Sequence, residues 1–133
     1  MNPPSVDIKD ILIADSSLAF TFGIDLFIGK EPGKPRRTAT IFDYASFPPN
    51  LTMDGKDAAN YEYCGIQIRV RDVDYVTGWT LINKIKDSLH GRAQETWGGT
   101  LYCVIKCING PALLDYDANG NARFVVNFNI QRR

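Results

Sequence analysis

The 133-residue sequence has one histidine, three cysteines and no excess of charge of either sign. A structural zinc site needs about four Cys or His ligands at short spacing, and His90 with three scattered thiols does not supply them. Cys103 and Cys107 share one face of a strand in "TLYCVIKCI". At about 3.3 Å per residue their Cα atoms stand about 13 Å apart, beyond the ~7 Å reach of a disulfide. They and Cys64 are read as buried, reduced thiols. Fifteen Lys and Arg balance fifteen Asp and Glu, so no bulk field draws the chain to nucleic acid or to an anionic membrane.

Long apolar runs are also missing. None approaches the ~20 residues of a membrane span, and "MNPPSVDIKD" has neither the basic start nor the apolar run of a secretory signal. A cytosolic chain with no membrane partner is the expectation. Catalytic signatures are equally scarce. His90 falls in the last turn of an expected helix, where a cation favours the helix dipole, and no nucleophile elbow accompanies it. "GKEPGKP" (29–35) lacks the pattern of a phosphate loop. "DYDANGN" (115–121) begins like a calcium loop, but Val126 occupies the position of the bidentate Glu, whereas Asn119-Gly120 is a strong tight-turn dipeptide. No catalytic residue, cofactor or metal is expected.

What is present is ordinary globular usage, 44% hydrophobic and 23% charged, in a chain of single-domain length. Residues 5–18 open with Ser5 as N-cap and Asp7 in the first turn, and Ile8, Ile11 and Leu12 make a short helical stripe. "FTFGIDLFI" (20–28) and "RRTATIFDYA" (36–45) read as strands joined as a hairpin. "GIQIRVRDVDY" (65–75) is a third strand. It leads into a helix capped by Asp74 and ended by Gly91, with Leu81, Ile82, Ile85 and Leu89 as its buried stripe. Residues 100–108 and 122–130 complete the pattern αβββαββ. The expected fold is one α+β domain over 1–133, with about five mostly antiparallel strands and two helices packed on them.

Two features have no place in a bare scaffold. Residues 46–60, "SFPPNLTMDGKDAAN", form a long loop or arm that carries the apolar Phe47, Leu51 and Met53 as candidate contacts. In the third strand Ile66, Ile68 and Val70 alternate with Gln67, Arg69 and Arg71, which puts two guanidinium groups on the face away from the core. Arg69 and Arg71 could pair with acids such as Asp72 and Asp74 across a subunit interface, hold an anion in a small enzyme or binding domain, or only solvate the sheet. The pattern leaves these open.

Three stretches in order, "GIQIRVRDVDY", "GWTLINKIKDSLHG" and "GPALLDYDANGNARFVVNFNIQRR", resemble the tail-terminator or minor-capsid proteins of long-tailed bacteriophages. The matching positions are Arg71 and Tyr75, Leu89 and Gly91, Pro111, Asp117 with Gly120, and Asn127 with Phe128. The resemblance covers roughly residues 60–133. It implies a non-enzymatic virion protein, made in the host cytoplasm, that forms a hexameric ring on the tail tube. The ring would end tube growth, join the tube to the head connector and let DNA pass. A head-completion or neck protein is the neighbouring alternative.

Overall fold

Pro4 at the first helical position and apolar residues three and four apart start the first helix. In the computed structural model, which describes residues 1–44 and 61–133, α1 spans Pro4–Ala14 and buries Ile8, Ile11 and Leu12. Ser5, expected as the N-cap, sits inside the first turn. Its N–H and its hydroxyl both donate to the Asp43 carboxylate, at 3.0 and 2.6 Å. A residue distant in sequence therefore satisfies the helix start.

The strands are β1 (Leu26–Ile28), β2 (Thr38–Tyr44), β3 (Glu62–Asp72), β4 (Ala93–Trp97), β5 (Thr100–Tyr116) and β6 (Ala122–Arg132), and the second helix, α2, covers Tyr75–Leu89. They form a single sheet in the order β1-β2-β3-β6-β5-β4, antiparallel except for β1 with β2. The class is α+β, with six strands where about five were expected. The expected arm at 46–60, with Phe47, Leu51 and Met53, lies outside the described residues.

Four local expectations are corrected. The strand at 20–28 shrinks to Leu26–Ile28, because Gly23 takes φ +86° and the Asp25 carboxylate accepts the Thr21 N–H at 2.7 Å, turning the chain first. Residues 29–37 then carry the chain back so that β2 lies parallel to β1, and there is no hairpin. β4 occupies a stretch read as loop. It pairs with β5 through Gly98-Gly99, whose φ values of +59° and +77° suit a two-residue hairpin turn. β5 continues past residue 108 through Gly110 and Pro111, and shifts of register absorb the irregularity.

The core lies between one face of the sheet and the two helices. Ile66, Ile68 and Val70 of β3 and Phe124, Val126, Phe128 and Ile130 of β6 meet Ile82, Ile85 and Leu89 of α2 and the α1 stripe. Asp74 caps α2 as expected, accepting the Thr77 N–H at 3.1 Å. Gly78 is what lets α2 come down onto β6. A Cβ there would stand 2.7 Å from the Phe124 ring and 3.0 Å from the Asp72 side chain. Tyr75 and Trp79, on the adjoining helix flank, meet the same ring edge-on at 5.1 and 6.0 Å between centroids.

Replacing a mid-helix glycine by alanine ordinarily gains about 1 kcal/mol of helix propensity. At Gly78 the overpacking should outweigh that gain, so Gly78→Ala is expected to lose about 1–2 kcal/mol net. A urea midpoint that falls with an unchanged slope is the predicted result; a midpoint that rises would show that α2 has room to spare.

Candidate functional site

On the sheet face away from the helices, the register places Arg71 of β3 directly opposite Arg123 of β6. Two cations in that relation repel. Glu31, from the segment between β1 and β2, lies between them. Its Oε1 accepts from Arg71 Nη1 at 3.3 Å, and its Oε2 accepts from Arg123 Nη1 at 3.2 Å. Arg123 also donates twice to Asp115, with both bonds at 2.5 Å, the fork geometry that makes guanidinium–carboxylate pairs strong.

Arg71 goes further. It donates to the carbonyls of Pro35 at 2.7 Å and Arg36 at 3.3 Å, and Asp117 lies 3.9 Å away. Its side chain is only 7% exposed, which differs from the exposed position that alternation implied. The reason is the 29–37 segment, which folds over this end of the strand. Asp72 is buried as well, accepting from Arg37 Nε at 2.8 Å and from the Asp74 N–H at 3.0 Å. Asp74 is exposed and occupied by Thr77. Arg69 is partly buried. Its Nε donates to Gln67 at 2.9 Å, and its guanidinium lies 5.0 Å from the centre of the Phe42 ring. The structure thus brings Arg71 and Asp72 into one fastened corner with Arg123, Glu31 and Arg37, and leaves Arg69 in a separate contact.

The same corner holds the β5–β6 turn. Asp117 accepts the N–H groups of Asn119 and Asn121 at 2.9 and 2.8 Å, and Gly120 takes φ +79°, as the tight-turn reading requires. The backbone N–H of Asn121 is the main reason that the Asp117 pKa lies below the usual carboxylate value. The Arg123 fork does the same for Asp115, and the Thr77 hydroxyl for Asp74. A depressed folded-state pKa stabilises the fold above the ordinary carboxylate value, and that contribution is lost as pH falls from there through the depressed value.

At the opposite end of the sheet Arg132, 4% exposed, donates to Glu62 at 2.9 Å, the Asn2 carbonyl at 2.8 Å and the Tyr102 oxygen at 3.3 Å. Tyr102 in turn donates to the buried Asp7. Burial and that acceptor raise the Tyr102 pKa, so the hydroxyl is a neutral donor. Burial, with the bond to Glu62, pushes the Cys64 thiol up to about 12, which makes it unreactive. His90 is the C-cap of α2, and its Nδ1 accepts the Cys107 N–H at 2.9 Å. These groups hold the subunit together.

Sequence reasoning missed Glu31, Asp115, Arg123, Asp7, Tyr102 and Arg132. The alternation of β6 does put Arg123 and Asn127 opposite its apolar face, but which loop covers that face is not written in any local pattern. The described residues include two clefts of about 450 Å³ each. One lies between α2 and residues 17–25, with Leu18, Phe20, Arg37 and Lys84 on its walls. The other lies on the outer sheet face among Phe42, Tyr44, Gln67 and Asn127. Among the described residues no cluster of His, Cys, Asp and Glu could hold a metal.

The two arginines of β3 should therefore behave differently in the free subunit. Arg71→Ala leaves Glu31 and two carbonyls without a donor and is expected to cost about 2–3 kcal/mol. Arg69→Ala loses one surface contact and should cost about 0.5 kcal/mol or less. Urea unfolding of both variants checks this, and equal costs would contradict the geometry.

Residues 8–133 match the family described as "Bacteriophage tail terminator protein". Among solved structures, a chain from the "Virion of native gene transfer agent (GTA) particle" superposes with a TM-score of 0.65 at 12% identity, over 96% of this chain and 92% of that one. A second solved chain gives 0.59 at 10% identity, over 100% and 96%. At such identities the likeness is one of fold. No curated protein matches. The family match spans nearly the whole sequence, and it covers β2, β3, α2 and the β5–β6 pair that carry the fastened corner. The chain belongs to the bacteriophage tail terminator family, a family of structural virion proteins and not of enzymes.

Proposed function

We propose that this chain closes as a hexameric ring on the end of the tail tube, stops its growth, and joins the tube to the head connector while leaving a passage for DNA. The observation that carries the reading is the family match over residues 8–133, which makes the chain a structural component of the virion tail.

Size and charge support the finer part. A chain of this length has a radius of gyration of about 14 Å, or about 18 Å as a uniform sphere. Six such spheres in contact leave an opening about 36 Å across, wide enough for B-DNA even after loops narrow it. Zero formal charge suits a conduit, since each cation that neutralises a phosphate adds affinity that retards a moving genome. Of the charged interface candidates, Arg69 and Asp74 keep accessible surface for a neighbour. Arg71 and Asp72 act from behind by holding the segment that shapes that surface. Phe47, Leu51 and Met53 are proposed as apolar contacts with a neighbouring subunit or with the tube.

The experiment is to add purified chain to polymerising tail tubes and measure tube lengths by negative-stain microscopy. Growth should halt soon after addition, with a single ring at one end of each tube. Tubes that lengthen as before, or chain bound all along them, would overturn the reading.

A further inference from the structure

Beyond residue 107, β5 has only β6 beside it among the described residues, because β4 ends its pairing at Val104. The other side of this long strand is an open edge. Leu113, Leu114 and Tyr116 on it are 38 to 57% exposed. The apolar surface continues onto α2. Leu113 pairs directly across from Phe124, and Tyr75 and Trp79 sit edge-on against that same ring with 45 and 40% of their surface open. With aromatic side chains presenting about 150–250 Å² each, these five residues expose on the order of 400 Å² of apolar surface. On a monomer a patch of that size is often functional.

The edge is not built to accept another strand. Pro111 has no N–H to offer, and register shifts at Cys107/Asn109, Asn109/Ala112 and Leu113/Asp115 distort the ladder. Bulges and proline are devices that stop edge-to-edge pairing. What remains is a ledge of side chains, suited to packing.

We propose that this ledge is the surface by which one copy of the chain holds the next, and that it meets the β1 side of the neighbour around Phe22 and Ile24. The inference rests on the ring reading above. Two observations single out a second copy as the occupant. First, the area fits: a standard interface buries about 800 Å² per partner, a little over half of it apolar, and the ledge supplies most of that apolar share. Second, a cyclic ring needs two different surfaces on opposite sides of each subunit. Phe22 and Ile24, 49 and 63% exposed, precede β1 at the other edge of the sheet, four strands and about 19 Å from β5.

Two blocked variants test it. Leu114→Glu with Tyr116→Glu closes the ledge, and Ile24→Glu closes the opposite side; all three positions are exposed, so circular dichroism and thermal unfolding should match the parent chain. Native mass spectrometry, with and without tail tubes, reads assembly. Each variant alone should associate about 100-fold more weakly than the parent. Mixed in equal amounts they should give a one-to-one dimer and nothing larger, since one intact interface remains between them. If both variants close rings like the parent, the ledge is refuted and the ring stands. If the parent itself forms no ring even on tubes, the ring reading and the ledge fall together.

Discussion

Two arginines, Arg71 on β3 and Arg123 on β6, face each other across a strand pair, and an anion between them relieves a repulsion that would otherwise destabilise the sheet. Glu31 supplies it, and Glu31 comes from the connection between β1 and β2. The connection is thereby fixed over the sheet, which gives Arg71 its carbonyl partners and brings Arg37 to Asp72. Asp72 in turn holds the Asp74 N–H at the start of α2, and Asp115 and Asp117 anchor the far end of β5. One exchange of charge thus sets four pieces of the subunit: the 29–37 segment, the α2 N-terminus, the β5–β6 turn and the end of β5.

The helix side of the sheet follows a different rule, that of close packing around Phe124. Gly78 lets α2 descend, and Tyr75 and Trp79 then wrap the exposed rim of the ring. These aromatics are half open, and Leu113 of β5 is their neighbour across Phe124. The fastened corner and the packed ring therefore meet at the C-terminal half of β5. Rigid positioning of that ledge is what a ring subunit needs, because a cyclic assembly closes only if every interface repeats the same angle. Charged groups consumed inside the subunit cannot also set that angle from the surface.

Much of this architecture was legible in the residues. Asp74 and Gly91 mark α2, the alternation of Ile66, Ile68 and Val70 marks β3, and Asn119-Gly120 marks the last turn. The family resemblance also lay in those segments. Long-range facts were not legible. The apolar alternation of residues 20–28 reads as a strand, and only the turn locked by Asp25 and Gly23 shortens it. Gly98-Gly99 does carry a hairpin signal, but the strand before it has five residues, and its Gln94 takes φ +55°, so periodicity gave no help. Alternation places Arg69 and Arg71 on one face; it does not say that a loop from residues 29–37 covers one of them. The aromatic flank of α2, Tyr75 and Trp79, lies outside the apolar stripe that spacing marks, and only the fold shows it packed on Phe124.

Hydrogen exchange on the free chain and on the ring assembled at a tail tube tests the central claim most directly. Amides 29–37 and 71–74 should be equally slow in both states, since the charged corner belongs to the subunit, while amides 108–116 should slow markedly only on assembly. Fast exchange at 29–37 in the free chain, with protection appearing there on assembly and none gained at 108–116, would mean that the arginine corner is the subunit contact and would contradict the account.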